Sequence, residues 1–383
     1  MKQIVLVDSK NQLYRSHFAP SLMPLSREDG FPTGAIYGCL NYVLLGVHKH
    51  LPDASFIWCW DGQGETWRHK LTASTPQLKV EPQDDETDYQ ANMINDTLSY
   101  FGIKKDKAKK VRPKVYGYKA NRAYNPKKFK TKYPTDEKAR ALIQIPVLKL
   151  ILDGIGIRQF EIKELECDDL IGILVKKIIK LDKECEVYIF SGDRDFYQLL
   201  KYPQVSIIKS TKGGKLEIPK IEDIENEFQI SIKDWTKYRA WTGDSTDNIE
   251  HLFKVGKVTA RKMLAAGLDP SESDVMKVLS AGWEDELVKF ERYFQPHGIE
   301  KLWPAIHNNY KLCEIVRSEN SELLSEDVKE RLHKAFKGIE DISDFKRDTK
   351  KNTADMYRKI TVLLSQYELN SILAQRDILW QIP

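Results

Sequence analysis

Three short apolar segments constrain the fold of this chain more than any other feature of its sequence. They are QIVLV at 3–7, SFIWCW at 55–60 and VYIFS at 187–191, each short and apolar enough to form a buried strand. The stretches between them show the apolar spacing of helices, notably at 34–49 and 167–181. Short buried strands that alternate with helices predict an α/β domain with a mostly parallel sheet.

The rest of the chain continues this pattern. Residues 138–153 have the spacing of a helix with a kink at Pro146, and residues 156–162 have that of a further strand. Two apolar stretches around a pair of glycines predict a hairpin over 205–218. Beyond residue 220 the pattern is helical nearly to the end.

Aspartates follow all three of the apolar segments. Asp8 and Asp61 come after the first two, and Asp193 and Asp195 come after the third, with Arg194 between them. A single acid at such a place is usually a helix cap or a turn residue. In an open parallel sheet, however, binding sites lie at the carboxyl ends of the strands, so we expect these four acids to converge.

Two further acidic motifs begin or precede predicted helices, where the helix dipole favours acids for purely structural reasons. They are ELECDD, with Glu166, Asp168 and Asp169, and TGDSTDN, with Asp244 and Asp247. If all nine carboxylates share one cleft, they repel each other unless protons or cations are bound. Oxygen-rich sites select hard cations such as Mg²⁺ or Mn²⁺, and two such ions can clamp a phosphodiester during in-line hydrolysis.

Opposed blocks of charge lie in the first half of the chain. Residues 81–96 hold six acids and no basic residue, whereas residues 104–132 hold 13 lysines and arginines and a single acid. A solvated face is the common explanation of such a block. Aromatic residues are interleaved with the basic ones, however, and this combination suits a nucleic acid strand, with phosphates on the cations and bases on the rings.

The composition indicates a soluble, intracellular protein of 383 residues with 41% hydrophobic and 30% charged residues. The five cysteines form no CxxC motif, which indicates a reducing compartment. No apolar run reaches the roughly 20 residues that cross a bilayer, and the start of the chain does not resemble a signal peptide. We therefore expect a cytoplasmic protein, in a bacterium or a phage-infected cell, without a membrane partner.

Six motifs, in this order, resemble those of the 5′-nucleases, the flap endonucleases and 5′→3′ exonucleases of bacteriophages and of bacterial DNA polymerase I. They are IVLVDSKNQLYRSHFA, FIWCWDGQGETWRHKL, YGYKANR, ELECDDLIG, SGDRDFYQLL, and YRAWTGDSTDN followed by VGKVTARKML. The resemblance covers roughly residues 1–268, with a gap at about 72–115. It implies a PIN-like nuclease core with a twisted, mostly parallel sheet over 1–219, a helical arch at about 72–135, a helix–three-turn–helix DNA-binding element over 220–268 and a helical C-terminal region over 269–383.

The resemblance also implies a role for each acid. One divalent ion would be bound by Asp8, Asp61, Glu166, Asp168 and Asp169, and a second by Asp193, Asp195, Asp244 and Asp247. The expected ions are two Mg²⁺ per site, with Mn²⁺ able to substitute.

Basic residues in the matching motifs are expected to bind DNA. Lys119 and Arg122 would hold the scissile phosphate and stabilise its developing charge. The other expected DNA contacts are Arg15, Arg68, Tyr118, Lys254, Lys257, Arg261 and Lys262. For Arg15 a structural ion pair in the acidic cleft is an equal alternative, and Tyr118 would either stack on DNA or pack inside the protein.

The sequence departs from the family pattern at two places. An insertion, which includes both charge blocks, separates Arg68 from Lys119. The glycine-rich hairpin that follows the SDN motif in the family, similar to IPGVKGIGEKTA, is IEHLFKVGKVTA here. Glu250, His251 and Lys254 therefore replace a proline and two glycines, which puts the family's monovalent K⁺ site in doubt.

The function implied is that of a structure-selective 5′-nuclease that removes 5′ flaps or RNA primers in DNA replication and repair. Its substrates would be branched or flapped DNA and RNA–DNA hybrids, and its protein partner a single-strand-binding protein or another replisome component. A resolvase-like nuclease for four-way junctions and a non-cleaving protein that binds branched DNA remain alternatives. The tail beyond 269 is too short for a polymerase domain.

Overall fold

A six-stranded sheet forms the centre of the protein. The computed structural model describes residues 2–73, 133–211, 215–244, 246–247, 249, 255–280, 289–294, 299–347 and 353–383. The strands are β1 (Gln3–Asp8), β2 (Ser55–Trp60), β3 (Arg158–Glu161), β4 (Glu186–Phe190), β5 (Val205–Ser210) and β6 (Leu216–Glu217). Their order is β3-β2-β1-β4-β5-β6; the first five are parallel, and β6 is antiparallel to β5.

Helices cover both faces of this sheet. Those of the first 181 residues are α1 (Ser9–His17), α2 (Gly34–Gly38), which continues through a π-helical stretch (Cys39–Leu45) into α3 (Gly46–His50), α4 (Trp67–Ala73), α5 (Glu137–Leu142), α6 (Ile145–Gly154) and α7 (Cys167–Leu181). Those that follow are a 3₁₀ helix (Arg194–Leu199), α8 (Ile221–Phe228), α9 (Trp235–Thr242), α10 (Lys257–Ala265), α11 (Val275–Ser280), α12 (Glu291–Phe294), α13 (Ile299–Cys313), α14 (Glu326–Ala335), α15 (Ala354–Gln366), α16 (Asn370–Leu373) and α17 (Arg376–Gln381). Short 3₁₀ turns cover Ile232–Asp234 and Ile342–Phe345.

Alternate residues of each central strand enter opposite hydrophobic cores, as the period of a strand requires. On β1, Ile4 and Leu6 belong to one core, and Val5 and Val7 belong to the other. Both faces of the sheet are therefore apolar, which explains why the three strands appear in the sequence as unbroken apolar runs.

The described part of the C-terminal region packs on both faces. Trp303 and Phe345 lie in the core that contains Ile4, whereas Leu364 and Leu379 lie in the core that contains Val5. These helices thus complete the two layers over the sheet. The division at 219 and 268 remains a prediction from the sequence.

The strand order places a crevice beside β1. Its neighbours β2 and β4 lie on opposite sides, so the chain leaves the carboxyl ends of β1 and β4 in opposite directions. In open parallel sheets this reversal of order is where ligands bind. Asp8, Asp61 and the SGDRD loop stand at this edge.

The predicted mostly parallel sheet is confirmed, as are its three apolar strands and the 205–218 hairpin. The prediction of one helix with a kink at Pro146 is wrong. The chain forms two helices there, and Pro146 lies in the first turn of α6, where its missing N–H removes no helical hydrogen bond. The acidic and basic blocks, and nearly all of the expected arch, lie outside the described residues. Among the residues with described positions, no helix has the length and apolar character to cross a membrane.

Gly62 holds two loops of the acidic edge together. Its N–H donates to the Leu165 carbonyl at 2.9 Å, and a Cβ at this position would lie 1.7 Å from the Ile162 carbonyl oxygen. Asp61 and Glu166 are the neighbours of Gly62 and Leu165 in the chain. The path of both loops therefore depends on the missing side chain.

We predict that Gly62→Ala lowers the free energy of unfolding by about 2–3 kcal/mol, because the clash involves backbone that cannot rotate away. The matched control is Gly256→Ala, where a Cβ meets no atom of the described residues within 4 Å. Chemical denaturation of both variants checks this. Equal stability of the two variants would contradict the close approach at Gly62.

Candidate metal centre and nucleic-acid interface

The first group of acids joins the carboxyl ends of three strands. Asp8, the last residue of β1, caps α1 by accepting the Asn11 N–H at 3.2 Å and also accepts the Ser191 hydroxyl at 2.8 Å. Ser191 directly follows β4. Asp61, after β2, accepts the N–H of Cys167 at 2.9 Å, at the start of α7. These bonds confirm that the strand ends meet at one edge.

Asp8 is buried beside other acids. Burial raises its pKa to about 7, against the effect of the Ser191 hydrogen bond, and the nearby charges of Asp61 and Asp193 raise it further. Asp8 is therefore a carboxylate that favours a proton or a cation at neutral pH.

The acids of ELECDD divide between two environments. Glu166 precedes α7 and accepts the Thr66 hydroxyl at 3.3 Å and Arg68 Nη1 at 3.2 Å. Asp168 is half-buried in the first turn of α7, and Asp169 is completely buried. Asp169 faces the protein interior, where its partners are protein donors.

The second group of acids gathers around the SGDRD loop. Asp193 caps the 3₁₀ helix by accepting the N–H of Asp195 at 2.9 Å. Asp195, Asp244 and Asp247 each offer a carboxylate oxygen within 4.8 Å of the others. Backbone hydrogen bonds between Asp244 and Ile249, at 2.8 Å in both directions, close the turn that carries Asp247.

The raised pKa of Asp195 indicates that Arg239 does not fully balance the negative charge of the acids around it. Burial raises it to about 7, Arg239 opposes the rise, and the charges of Asp193, Asp244 and Asp247 add to it. Carboxylate oxygens grouped at this spacing suit a hard divalent cation. The second acid group therefore fits metal binding by its spacing, its donor atoms and its charge.

Arg239 is a residue of this site that the sequence analysis missed. It lies on α9, donates from Nε to Asp195 at 3.1 Å and forms a close ion pair with Asp244 through Nη2. Burial lowers the pKa of Arg239, but attraction from Asp195 and Asp244 outweighs it and holds that pKa above its usual value. A basic residue about one helical turn before the GDSTD motif was the available signal.

Two other basic residues lie at the edge of the acids. Lys10, also missed, has its Nζ 3.5 Å from Asp61 Oδ2. Arg15 is exposed, lies against Gly192 and donates to the Ser210 carbonyl rather than to a carboxylate. Its position leaves Arg15 accessible to a phosphate.

Arg68 has a different position from the one its predicted DNA contact requires. It is only 3% exposed, and it is ion-paired with Glu166 and Asp169. A guanidinium enclosed in this way has no surface for a phosphate. In this structure Arg68 is an internal partner of the acids.

A basic and aromatic pocket lies beside the second acid group. It has a volume of about 230 Å³ and is lined by Arg194, Phe228, Trp235, Tyr238, Arg239, Thr242, Gly243, Val255, Gly256 and Lys257. Lys257 and Lys262 are exposed on α10, whereas Arg261 donates to the Phe228 carbonyl and the Gln229 side chain. Arg194 was not among the residues that the sequence analysis expected to bind DNA. Lys254, Tyr118, Lys119 and Arg122 lie outside the described residues, so their roles remain predictions.

Comparison with known families identifies the chain. A model of the family described as the 5′-3′ exonuclease, N-terminal resolvase-like domain, matches residues 3–111 and 100–229. The chain belongs to this 5′-3′ exonuclease family. The resemblance stated from the motifs is therefore confirmed.

Individual relatives of this exonuclease support the same assignment. The 5′-3′ exonuclease of Aquifex aeolicus is 29% identical over 329 residues, which cover 86% of this chain and 87% of that protein. The thermostable DNA polymerase I of Thermus filiformis is 34% identical over 264 residues, 69% of this chain but only 24% of the polymerase. The exonuclease thus spans about a quarter of that polymerase.

Among solved structures, the T5 5′-exonuclease with bound zinc superposes with a TM-score of 0.52 at 16% identity, covering 87% of this chain and 100% of that one. A DNA and metal-ion complex of the bacteriophage T5 flap endonuclease superposes with a TM-score of 0.51, also at 16% identity and covering 87% and 99%. These superpositions confirm the predicted PIN-like fold.

The raised pKa of Asp8 gives a prediction for the metal-free exonuclease. The folded state keeps a proton that the unfolded state loses, so stability falls as the pH rises from the ordinary carboxyl value to about 7. The stability of Asp8→Asn relative to wild type should rise by about 3 kcal/mol between roughly pH 4.5 and pH 7.5, then level off.

Urea denaturation in EDTA measures this difference, with the exposed Asp53→Asn as the matched control. A difference that stays constant across this range would show that Asp8 does not titrate as its burial requires.

Proposed function

We propose that this protein is a Mg²⁺-dependent, structure-selective 5′-nuclease that hydrolyses phosphodiesters in flapped or branched DNA and in RNA–DNA hybrids. The observation that carries the proposal is the convergence of two carboxylate groups at the carboxyl edge of the sheet, with burial raising the pKa of one acid in each. Family membership and the T5 neighbours, crystallised with divalent ions and with DNA, support it.

The two groups would hold two ions. One ion would be bound by Asp8, Asp61, Glu166 and Asp168, and the other by Asp193, Asp195, Asp244 and Asp247. When bound, such ions activate water and stabilise the departing oxyanion. Asp169 was expected in the first set, but protein donors already occupy its carboxylate oxygens.

The chain's own residues prepare this site. Ser191 fixes one oxygen of Asp8 by its hydrogen bond, and the Cys167 N–H fixes one oxygen of Asp61. Ion binding would displace the proton that Asp8 holds below about pH 7. Arg239 holds Asp195 and Asp244 at a fixed separation. The carboxylate oxygens would then need less rearrangement when the ions bind.

Basic residues around the cleft would bind the substrate. Lys119 and Arg122 are proposed to hold the scissile phosphate, and Arg15 to contact the strand at the mouth of the site. Lys257 and Lys262 would bind phosphates of the duplex. Contacts of this kind position DNA without reading its bases, so selectivity would follow junction shape and a free 5′ end. Primer removal in the cytoplasm of a bacterial or phage-infected cell, beside a single-strand-binding protein, fits this selectivity.

We predict that the wild-type protein cuts a 5′-labelled flap near its junction in Mg²⁺ or Mn²⁺ but not in EDTA, and that Asp195→Ala loses ~100-fold or more of this activity. Asp53→Ala is the control, because this acid is exposed and lies before β2, away from the carboxyl edge. A four-way junction is assayed in parallel.

Undiminished cleavage by Asp195→Ala would refute the two-metal site. Faster cleavage of the four-way junction would favour a resolvase-like activity, and tight flap binding without turnover in any divalent metal would favour a binding protein.

The proposed duplex contacts predict a change in salt dependence. Replacing Lys257 and Lys262 together by alanine should weaken binding equally for unrelated sequences and reduce the slope of log K against log salt by about 1–2. Lys183→Ala is the control, since Lys183 is exposed before β4 at the opposite edge of the sheet. An unchanged slope in the double variant would place the duplex on another surface.

A further inference from the structure

Arg68 is fully engaged inside the protein. Its Nε donates to the Leu312 carbonyl at 2.9 Å, and Nη2 donates to the Glu314 carbonyl at 2.6 Å and to Asp169 at 2.9 Å. Nη1 donates to Asp169 at 2.7 Å and to Glu166 at 3.2 Å. A guanidinium has five N–H donors, and all five have acceptors here.

Asp169 is engaged to the same extent. Its side chain is 0% exposed and accepts two hydrogen bonds from Arg68. It also accepts the Trp67 indole N–H at 2.7 Å and the Val316 N–H at 2.9 Å. Four acceptor positions are what a carboxylate offers, so these donors leave Asp169 no position for an ion.

The same cluster holds a segment of the C-terminal region, residues 312–316. Besides Arg68 and Asp169, the buried Gln198 contributes, donating to the Cys313 carbonyl at 3.0 Å and accepting the Ile315 N–H at 2.9 Å. Every one of these contacts is to the backbone of the segment. Their geometry depends on the path of segment 312–316 rather than on its side chains.

Helix α7 is shaped to receive this segment. A Cβ on Gly172 would lie 2.4 Å from the Val316 carbonyl oxygen and 2.5 Å from the Ile315 side chain. Segment 312–316 therefore lies directly on the helix that begins beside Glu166.

Segment 312–316 is connected to both acid groups. Arg68 links it to Glu166 of the first group, and Gln198, which also donates to the Asp195 carbonyl at 3.0 Å, links it to the second. The linking side chains are buried, so displacement of the segment leaves their donors and acceptors unpaired.

We propose that Arg68, Asp169 and Gln198 are positioning residues that hold segment 312–316 in place. These three side chains and the segment, called the clamp here, set the geometry with which Glu166 and Asp195 bind metal. Asp169 acts through Arg68 and the segment rather than as a metal ligand. This inference rests on the proposed function, because it assigns the clamp a role in that metal site.

Two variants loosen the clamp without adding or removing a formal charge. Gln198→Leu removes both bonds to the segment, and Arg68→Lys keeps the positive charge but cannot reproduce a five-donor fork. In both, we expect faster hydrogen exchange at the Ile315 and Val316 amides, with unchanged circular dichroism. We also expect about tenfold weaker Mn²⁺ binding, measured by electron paramagnetic resonance, as when partners of metal ligands are removed elsewhere.

Asp169→Asn separates the positioning role from direct ligation. A positioning residue should accelerate amide exchange at Val316 together with the loss of Mn²⁺ affinity, whereas a ligand should lose affinity with exchange unchanged. The matched control is Lys149→Gln, which breaks the partly exposed pair between Lys149 on α6 and Glu161 on β3 and should change neither readout.

Wild-type Mn²⁺ affinity in whichever of Gln198→Leu and Arg68→Lys fold would overturn the inference, as would loss of affinity in Asp169→Asn with unchanged exchange. Having two independent variants keeps the test decisive if one of them fails to fold. Absence of Mn²⁺ binding by the wild-type protein would overturn the proposed function itself, a result distinguishable from weakened binding in the variants alone.

Discussion

Repulsion among the carboxylates at one edge of the sheet is the constraint on which the rest of this structure depends. Burial raises the pKa values of Asp8 and Asp195, and the charges of the neighbouring acids raise them further. The chain offsets part of this repulsion with hydrogen bonds from Ser191 and Cys167 and with the charges of Arg68 and Arg239. The negative charge of the carboxylates that these groups leave unbalanced is the charge that divalent ions would neutralise.

The arginines of this site divide the acids into those that are enclosed by protein donors and those that remain beside other carboxylates. Asp169 is enclosed by Arg68, Trp67 and the Val316 N–H, so its charge is permanently balanced inside the fold. Asp195 and Asp244 share Arg239 but stay close to Asp247, where a further cation can enter. Adjacent positions in one motif can therefore differ in environment: Asp168 and Asp169 are neighbours in the chain, yet the turn of α7 directs only Asp169 into the interior.

The sequence predicted what depends on local pattern. The strands were recognisable because both of their faces are buried, and convergence of Asp8, Asp61, Asp193 and Asp195 followed because parallel strand ends meet at one edge. The burial of Arg68 was not predictable in this way, since Leu312 and Glu314, whose carbonyls it binds, lie over 240 positions away. Nor was the break before Pro146, because a kink within one helix and a start of a second helix share one sequence pattern.

The C-terminal region is part of this balance rather than an addition to it. A parallel sheet needs cover on both faces, and helices from this region supply some of it in each core. One of its segments, 312–316, also satisfies a buried arginine and a buried aspartate through backbone groups alone. Backbone contacts fix where the segment runs, and its side chains are enclosed as well: those of Leu312, Cys313, Ile315 and Val316 are buried, and that of Ile315 lies against Gly172. The geometry of the acidic edge can thus depend on both the backbone path and the buried side chains of this segment.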